Sequence, residues 1–188
     1  MAPAHPPLVL ASRSPQRRAI LARLGIEFEV RPSGVAELEA GAADEVATET
    51  ARRKARAAAR PGELVLGVDT VVVLDGALYG KPPDADAARA MLGVLGGRTH
   101  TVVSGLALLR GDGERVAIAR TEVTFRPLSD ALLDWYVATG EWRERAGGYA
   151  IQGAGAALVT RVEGDYENVV GLPVAALVDL VPEILTGT

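Results

Sequence analysis

The pattern of hydrophobic and polar positions predicts strands and helices that alternate along the chain. Short apolar runs and long valine-rich runs indicate strands, whereas apolar residues spaced three and four apart indicate helices. Strands are predicted at residues 8–11, 27–30, 64–74, 99–110, 115–125 and 157–162. Helices are predicted at residues 15–24, 44–60, 84–95, 129–139 and 172–185. This interleaving predicts an α/β fold on a mixed sheet.

Turn-forming residues interrupt this pattern at two places and predict hairpins there. Asp75-Gly76 is a tight hairpin signal, and Gly111-Asp112-Gly113 joins two long strands. A chain of 188 residues suits one domain with a sizeable core, or two lobes around one cleft. Residues 1–7 hold three prolines and no cationic start before an apolar stretch, so we expect a disordered tail and not a signal peptide. No apolar run reaches the roughly 18 residues that a membrane span needs.

The amino-acid composition limits the catalytic and binding groups that are available to this chain. The chain has no cysteine, which excludes disulfides, thiolate nucleophiles and sulfur ligands. A net charge of −4 argues against a nucleic-acid-binding coat. Of the two histidines, His5 lies in the predicted tail, so a histidine-based triad is disfavoured. Carboxylates acting with a metal ion become the default acid–base machinery.

The first candidate site is the junction between strand 8–11 and the helix that follows. Ser14 is a natural N-cap and Pro15 suits the first helical position. Free N–H groups and the dipole at a helix start attract anions, and the Ser12 and Ser14 hydroxyls add donors. This junction therefore predicts an anion site, although a capped surface helix with stray arginines is the alternative.

The helix after Ser14 carries two arginines that differ in direction. Arg17 precedes Leu21 by four residues and Leu24 by seven, which continues the core-facing stripe. A charge on that stripe points inward near the helix start. Arg18 lies about 100° round the helix, so it stays an alternate.

Asp69 interrupts the long apolar run of residues 64–74. A charge in a strand covered on both faces costs several kcal/mol unless it is paired or metal-bound. That cost favours a functional role for Asp69. The alternative is a purely structural one, in which the carboxylate forms a hydrogen bond with the backbone or an ion pair with a lysine. Asp69 is thus the candidate base or metal ligand.

The hairpin register adds a candidate partner. A two-residue turn at Asp75-Gly76 pairs Leu74 with Ala77. Continued along the strand, the same register sets Thr70 opposite Lys81 and Asp69 opposite Pro82. Lys81 is then diagonal to Asp69. We expect an acid and a lysine to meet there.

Taken in order, the motifs resemble the Maf family almost from end to end. They are Ser12-Arg13-Ser14-Pro15-Gln16-Arg17-Arg18, Gly67-Val68-Asp69-Thr70, Gly80-Lys81-Pro82, Gly97-Arg98-Thr99-His100, residues 146–153 and Gly171-Leu172-Pro173. Each is weak alone, but the ordered set is highly specific. The resemblance implies a cytoplasmic, metal-dependent nucleotide pyrophosphatase that is usually dimeric. It also implies one domain over residues 8–188, with a strongly twisted sheet and two lobes around a central cleft, similar to inosine triphosphatase.

The resemblance assigns roles to individual residues. Asp69 matches the family's proton acceptor, and Glu37 with Asp69 is expected to bind Mg²⁺ or Mn²⁺. The expected substrate-binding residues are Ser12, Ser14, Gln16, Arg17, Arg18, Lys54, Thr70, Lys81 and Gln152. Without the resemblance, Glu37 reads as a solvated loop acid and Lys54 as part of a solvated, charged helix face. Glu39 is an alternative to Glu37.

The implied reaction converts a nucleoside triphosphate to a monophosphate and pyrophosphate. Thr70 and Gln152 match the branch that prefers dTTP and UTP, whereas the 7-methyl-GTP branch usually has Gln and Glu there. Gln16 departs from both branches, which carry Arg or Trp, so a broader pyrophosphatase stays open. Arg145 stands where Lys is common.

Three other functions remain as alternatives. One is a nucleotide-binding regulator of cell division without turnover, for which the buried position of Asp69 would have no purpose. Another is a purine-directed inosine triphosphate pyrophosphatase, against which Gln152 argues. A nucleic-acid-binding module is disfavoured by the negative net charge and the few aromatic residues.

Overall fold

A computed structural model describes residues 7–186, and within this range a seven-stranded mixed sheet forms the centre of the molecule. The strands are β1 (Leu8–Leu10), β2 (Phe28–Val30), β3 (Leu64–Leu74), β4 (Ala77–Tyr79), β5 (Thr99–Arg110), β6 (Gly113–Phe125) and β7 (Val159–Glu163). Their order is β2-β1-β3-β5-β6-β7, and β4 also pairs with β3. β1 runs parallel to β2 and β3, whereas the other pairs are antiparallel. The α/β prediction on a mixed sheet is confirmed.

Helices flank the sheet. They are α1 (Pro15–Arg23), α2 (Ala43–Ala58), α3 (Ala85–Leu95), α4 (Asp130–Thr139), α5 (Tyr166–Val170), α6 (Val174–Leu180) and α7 (Glu183–Thr186). Three of them begin as the sequence predicts, because Ser14, Asp84 and Ser129 cap α1, α3 and α4 through side-chain oxygens. Two short 3₁₀ turns, Ala146–Gly148 and Ala154–Ala157, follow α4.

One edge of β3 is shared by two strands that do not meet. β1 pairs with Leu64–Leu66 in parallel, and β4 pairs with Val72–Leu74 in antiparallel orientation, on the edge of β3 that faces away from β5. Between these two ladders, residues 67–71 of β3 have strand partners only on β5. The sheet is therefore split at this point, and the split holds Asp69 and Thr70.

Two glycines bring α2 directly onto the sheet. A Cβ on Gly67 would lie 2.1 Å from the Ala51 carbonyl oxygen, and a Cβ on Gly105 would lie 2.5 Å from the Ala47 carbonyl group. Such distances exclude any side chain at either glycine. Gly67 begins the split in β3 and Gly105 pairs with Asp69, so α2 contacts the sheet backbone beside the split.

The larger buried clusters lie at opposite ends of β3. One gathers apolar residues of β1, α1, α6 and the first half of β3, including Leu8, Leu21, Leu66 and Leu177. The other gathers residues from the second half of β3 with α3, α4 and the segment after α4, including Val72, Leu92, Tyr136 and Tyr149. The split in the sheet lies between them.

Several predicted boundaries shift for local reasons. Arg110 pairs with Gly113, so the second hairpin loop is only Gly111-Asp112 and β6 begins two residues early. The last strand starts at Val159 because residues 154–157 form a 3₁₀ turn. The C-terminal helix, predicted as one, breaks near Pro182, which lacks a backbone donor. Helix α5 was not predicted.

The predicted tail lies outside the described residues, apart from Pro7. From Pro7 to Thr186, no helix combines the length and the apolar character that crossing a membrane requires.

Candidate active site

An open cleft of about 1250 Å³ lies at the split in the sheet. Its walls come from several parts of the chain: the junction of β1 and α1, the loop after β2, Lys54 of α2, the middle of β3, the end of β4 with Lys81, and the segment between α4 and β7. These parts carry almost every site residue that the sequence predicts. The exception is Arg18, which is exposed and does not line the cleft, since it lies on the outer side of α1. Its expected substrate contact is not supported.

The junction between β1 and α1 forms one end of this cleft. Ser14 Oγ accepts a hydrogen bond from the Arg17 backbone N–H at 3.4 Å, which caps α1. Ser12 Oγ accepts from the Ser14 N–H at 3.2 Å and from Arg17 Nη1 at 3.0 Å. The serine hydroxyls and the first turn of α1 thus face the same space, as an anion site requires.

Arg17 points inward, as its position on the apolar stripe predicts, and is only 8% exposed. Its Nε donates to the Gly171 carbonyl at 2.8 Å, and its Nη2 donates to Thr70 Oγ1 at 3.2 Å. Thr70 Oγ1 also lies 2.8 Å from Ser104 Oγ on β5. Burial lowers the pKa of Arg17, while the charges of Asp69 and Glu37 act in the opposite direction. One guanidinium group therefore ties together α1, β3 and the turn before α6.

Asp69 and Glu37 are joined through Lys54. Lys54 Nζ lies 2.7 Å from Asp69 Oδ1 and 2.7 Å from Glu37 Oε1. Lys54 and Asp69 are 7% and 3% exposed, whereas Glu37 is exposed at the mouth of the cleft. One ammonium group therefore bridges Asp69 Oδ1 and Glu37 Oε1 and holds the two carboxylates close together.

The pKa values of the two carboxylates are shifted in opposite directions. Burial raises the pKa of Asp69, and the nearby Lys54 ammonium group only partly offsets this effect. Burial also acts to raise the pKa of Glu37, but Lys54 and Lys81 together outweigh it and hold that pKa at about 2. A raised pKa suits Asp69 to accept a proton, while Glu37 stays ionised.

Lys81 reaches the site by a different route from the predicted one. The β3–β4 ladder has the predicted register but ends at Val72–Tyr79, so the pair of Thr70 with Lys81 does not form. The Gly80 carbonyl instead accepts from the Gly147 N–H at 3.1 Å, which leads the chain away from β3. Lys81 Nζ lies 3.0 Å from both carboxylate oxygens of Glu37. The lysine that meets Asp69 is Lys54.

The sequence carries a signal for Lys54 that its charged neighbours obscure. α2 buries one stripe against the sheet, and Lys54 lies on it: Ala47, Ala51, Lys54, Ala55 and Ala58. The interpretation of Lys54 as part of a solvated helix face, which the residues suggest without the resemblance, is therefore wrong. The flanking Arg53 lies on the outer side and pairs with Glu49 at 3.0 Å.

Two amide side chains, Gln152 and Gln16, line the cleft. Gln152 is exposed to the cleft, and its side chain makes no hydrogen bond with residues 7–186. Gln16 also lines the cleft, and its Oε1 accepts from Ser14 Oγ at 3.1 Å. Gln152 is free to donate to and accept from a ligand.

Arg145 lines the cleft near Gln152. Its Nε is buried and has no hydrogen-bond partner among the described residues, and burial lowers the pKa of the side chain. In the sequence, Arg145 stands out only as an arginine where Lys is common, and no role is predicted for it.

The cleft is positively charged although the whole chain carries a net charge of −4. Six basic residues line it: Arg13, Arg17, Lys54, Lys81, Arg143 and Arg145. Four acidic residues line it: Glu37, Glu39, Asp69 and Glu144. The excess of two positive charges favours a polyanionic ligand.

The carboxylates Asp69 and Glu37 fit a hard divalent cation. Residues 7–186 contain no group of three or more His, Cys, Asp or Glu side chains suited to a metal ion. Mg²⁺, however, is held in many nucleotide enzymes by one or two carboxylates, with water and phosphate oxygens completing its ligands. Asp69 Oδ2 makes no hydrogen bond within the same described range, so it offers a free ligand atom. The donor set fits such an ion when a phosphorylated ligand accompanies it.

Comparison with known proteins identifies one family and a set of similar enzymes. The family model described as "Maf-like protein" matches residues 7–184. A dTTP/UTP pyrophosphatase of Symbiobacterium thermophilum is 48% identical over 180 residues, covering 94% of this chain and 93% of the relative. One of Pyrococcus furiosus is 46% identical over 180 residues, with 93% of each chain covered. One of Anaeromyxobacter dehalogenans is 49% identical over 176 residues, with 90% of each covered.

Proposed function

The chain belongs to the Maf family, and on this premise we propose that it hydrolyses nucleoside triphosphates to a monophosphate and pyrophosphate, with dTTP and UTP as preferred substrates. The observation that carries this proposal is the buried ion pair of Asp69 and Lys54, which Glu37 extends to the mouth of a cleft of opposite charge to the whole protein. Such an arrangement combines a base with the cations that a triphosphate needs.

In the proposed complex, the triphosphate lies along the basic side of the cleft. The start of α1 and the hydroxyls of Ser12 and Ser14 donate hydrogen bonds to phosphate oxygens. Arg17, Lys54 and Lys81 neutralise the charge that grows on the leaving pyrophosphate. Because Arg17 is already fixed by three hydrogen bonds, its positive charge needs little reorganisation when the substrate binds.

Asp69 acts as the base in this proposal. It orients or deprotonates the water that breaks the bond between the first and second phosphates, which releases the monophosphate and pyrophosphate. Its raised pKa increases its proton affinity, and the contact with Lys54 keeps the ionised form accessible.

A divalent cation, Mg²⁺ or Mn²⁺, is part of the proposal. Asp69 and Glu37 would hold it, and when bound it supplies charge stabilisation at the phosphate oxygens. Glu37 is suited to this role because its pKa of about 2 keeps it ionised at every working pH.

The base preference rests on Thr70 and Gln152 together with the names of the relatives. An amide reads a base edge through one donor and one acceptor, which suits the paired groups of uracil and thymine. Gln16 is the residue that departs from the family branches, and its oxygen is engaged by Ser14. We therefore propose Gln16→Arg as a selectivity test: an unchanged ratio of dTTP to other triphosphates would remove position 16 from base selection.

A panel of triphosphates tests the activity. The purified chain is incubated with Mg²⁺ or Mn²⁺ and with dTTP, UTP, CTP, ATP, GTP, ITP or 7-methyl-GTP, and pyrophosphate and orthophosphate are measured separately. We expect pyrophosphate, fastest from dTTP and UTP, and no release when the metal is chelated. Absence of pyrophosphate from every triphosphate would overturn the enzyme proposal. Saturable dTTP binding without release would favour the regulatory alternative instead.

Location and assembly remain predictions from the resemblance. We propose a cytoplasmic homodimer that acts on free nucleotides and not on nucleic acid. The cleft has more basic than acidic lining residues although the whole chain has a net charge of −4, which supports a small anionic substrate. Light scattering in solution tests the dimer.

A further inference from the structure

Glu141, in the turn after α4, holds the loop that carries Gln152. Ala154 N–H donates to Glu141 Oε1 at 3.0 Å, and Gly155 N–H donates to Glu141 Oε2 at 3.3 Å. One carboxylate thus fixes two consecutive peptide groups just after Gln152. Hydrogen bonds to an ionised acceptor are stronger than those between neutral groups, which makes this a firm attachment.

Gly153 makes the attachment possible. A Cβ on Gly153 would lie 2.4 Å from Glu141 Oε1 and 2.7 Å from Glu141 Oε2. A Cβ there would push the carboxylate away, so Glu141 lies against the loop backbone only because position 153 is glycine. The absence of a side chain at position 153, next to Gln152, is therefore what allows the contact with Glu141.

The loop is also attached before Gln152. Ala150 N–H donates to the Tyr136 hydroxyl of α4 at 2.9 Å, and the Ile151 side chain is buried in the core. Gln152 is exposed between these fixed points, with its amide in the cleft. Tyr136 and Glu141, on α4 and the turn after it, hold the loop from both sides.

We propose that Glu141 is a positioning residue for base recognition: it orients the Gln152 amide by holding the backbone of Ala154 and Gly155. The proposal rests on the pyrimidine-reading role suggested above for Gln152. A carboxylate is suited to the task because it has acceptors on both oxygens and no donor. A glutamine at 141 would keep the shape but turn an NH₂ group toward one of the two N–H donors.

The test separates the base end of the cleft from the phosphate end. Dissociation constants are measured by calorimetry for dTMP, which carries the base, and for pyrophosphate, which does not. In Glu141→Ala we expect the dTMP constant to rise about tenfold or more, equivalent to about 1.4 kcal/mol. The pyrophosphate constant should stay within about twofold, and Glu141→Gln should lie between wild type and alanine for dTMP. For dTTP turnover, KM should rise more than kcat falls.

Ser129→Ala is the matched control, since it removes the N-cap of the same helix, α4, without touching the loop. It should leave the ratio of the two dissociation constants at the wild-type value. The proposal is overturned if the Glu141 variants weaken both ligands equally, or if they weaken neither. A wild-type chain that binds dTMP but releases no pyrophosphate would overturn the proposed activity, and the calorimetric result for Glu141 would still stand.

Discussion

Lys54 forms a buried ion pair with Asp69, in which Nζ lies 2.7 Å from Oδ1. Both side chains are almost fully removed from water. Removing one partner of such a pair leaves the other charge uncompensated, which strongly favours its neutral form. The protonation state of Asp69 therefore depends on a residue of α2 as well as on its own burial in β3.

Lys54→Met should move the acid limb of the pH–activity profile to higher pH. Asp69 must be ionised to accept a proton, so kcat/KM falls as the pH drops through its pKa. Lys54 lowers that pKa, and its loss raises the pKa further above the usual value. The profile of kcat/KM for dTTP between pH 4 and 9 measures the change. Arg53→Met, on the outer side of the same helix, is the control and should leave the limb in place.

Asp69→Asn should abolish turnover without unfolding the protein. Asparagine has nearly the same shape but accepts no proton, and loss of a general base lowers kcat by about 10²–10⁴-fold. Pyrophosphate release and the circular dichroism spectrum are the two measurements. Asp86→Asn, an exposed acid of α3 outside the cleft, should behave as wild type. Activity retained in Asp69→Asn would remove this residue from the mechanism.

Arg17→Lys should weaken both substrate binding and stability, although it keeps the charge. A single ammonium group cannot reproduce the planar fork that reaches Ser12, Thr70 and the Gly171 carbonyl. We expect a higher KM for dTTP and a loss of about 1–3 kcal/mol in the free energy of unfolding. Arg18→Lys, one residue on and exposed, should change neither value. Equal effects at the two positions would contradict the inward role of Arg17.

Buried His100 should make stability depend on pH between about 4 and 6.5. Burial lowers its pKa to about 4, and its Nε2 lies 2.9 Å from the Tyr149 hydroxyl. In this window the unfolded chain binds the proton and the folded chain does not, so stability falls as the pH drops, by roughly 3 kcal/mol over the whole range. Urea unfolding of His100→Gln in a His5→Gln background, compared with His5→Gln alone at pH 7.5 and 4.5, isolates the effect. An equal pH dependence in the two proteins would contradict it.

The sequence predicted those parts of the site that depend on neighbouring residues. The cap at Ser14, the helix start at Pro15 and the inward direction of Arg17 all follow from spacing within a few residues. Asp69 was predicted because a charge inside a valine-rich strand has no local explanation. Each of these inferences uses information within one element and its ends.

The contacts between separate helices, strands and loops were harder to predict from the sequence. The partner of Asp69 depends on how closely α2 approaches the sheet, and the path of Lys81 depends on a hydrogen bond from Gly147 to Gly80. The contacts of Glu141 with Ala154 and Gly155 likewise join residues more than ten positions apart. Only the alanine stripe that includes Lys54 offered a periodic signal for one of them.

Protein engineers routinely replace strand glycines by alanine, because the change restricts the unfolded chain and usually adds stability. Gly105 would be a poor choice for such a design. The added methyl group would meet the backbone of Ala47 at 2.5 Å, and α2 would have to lift from the sheet. Lys54, about two helical turns further along, would move away from Asp69 with it. A stabilising programme for this enzyme should therefore leave Gly105 unchanged, because its missing side chain lets α2 hold Lys54 beside Asp69 although Gly105 itself does not line the cleft.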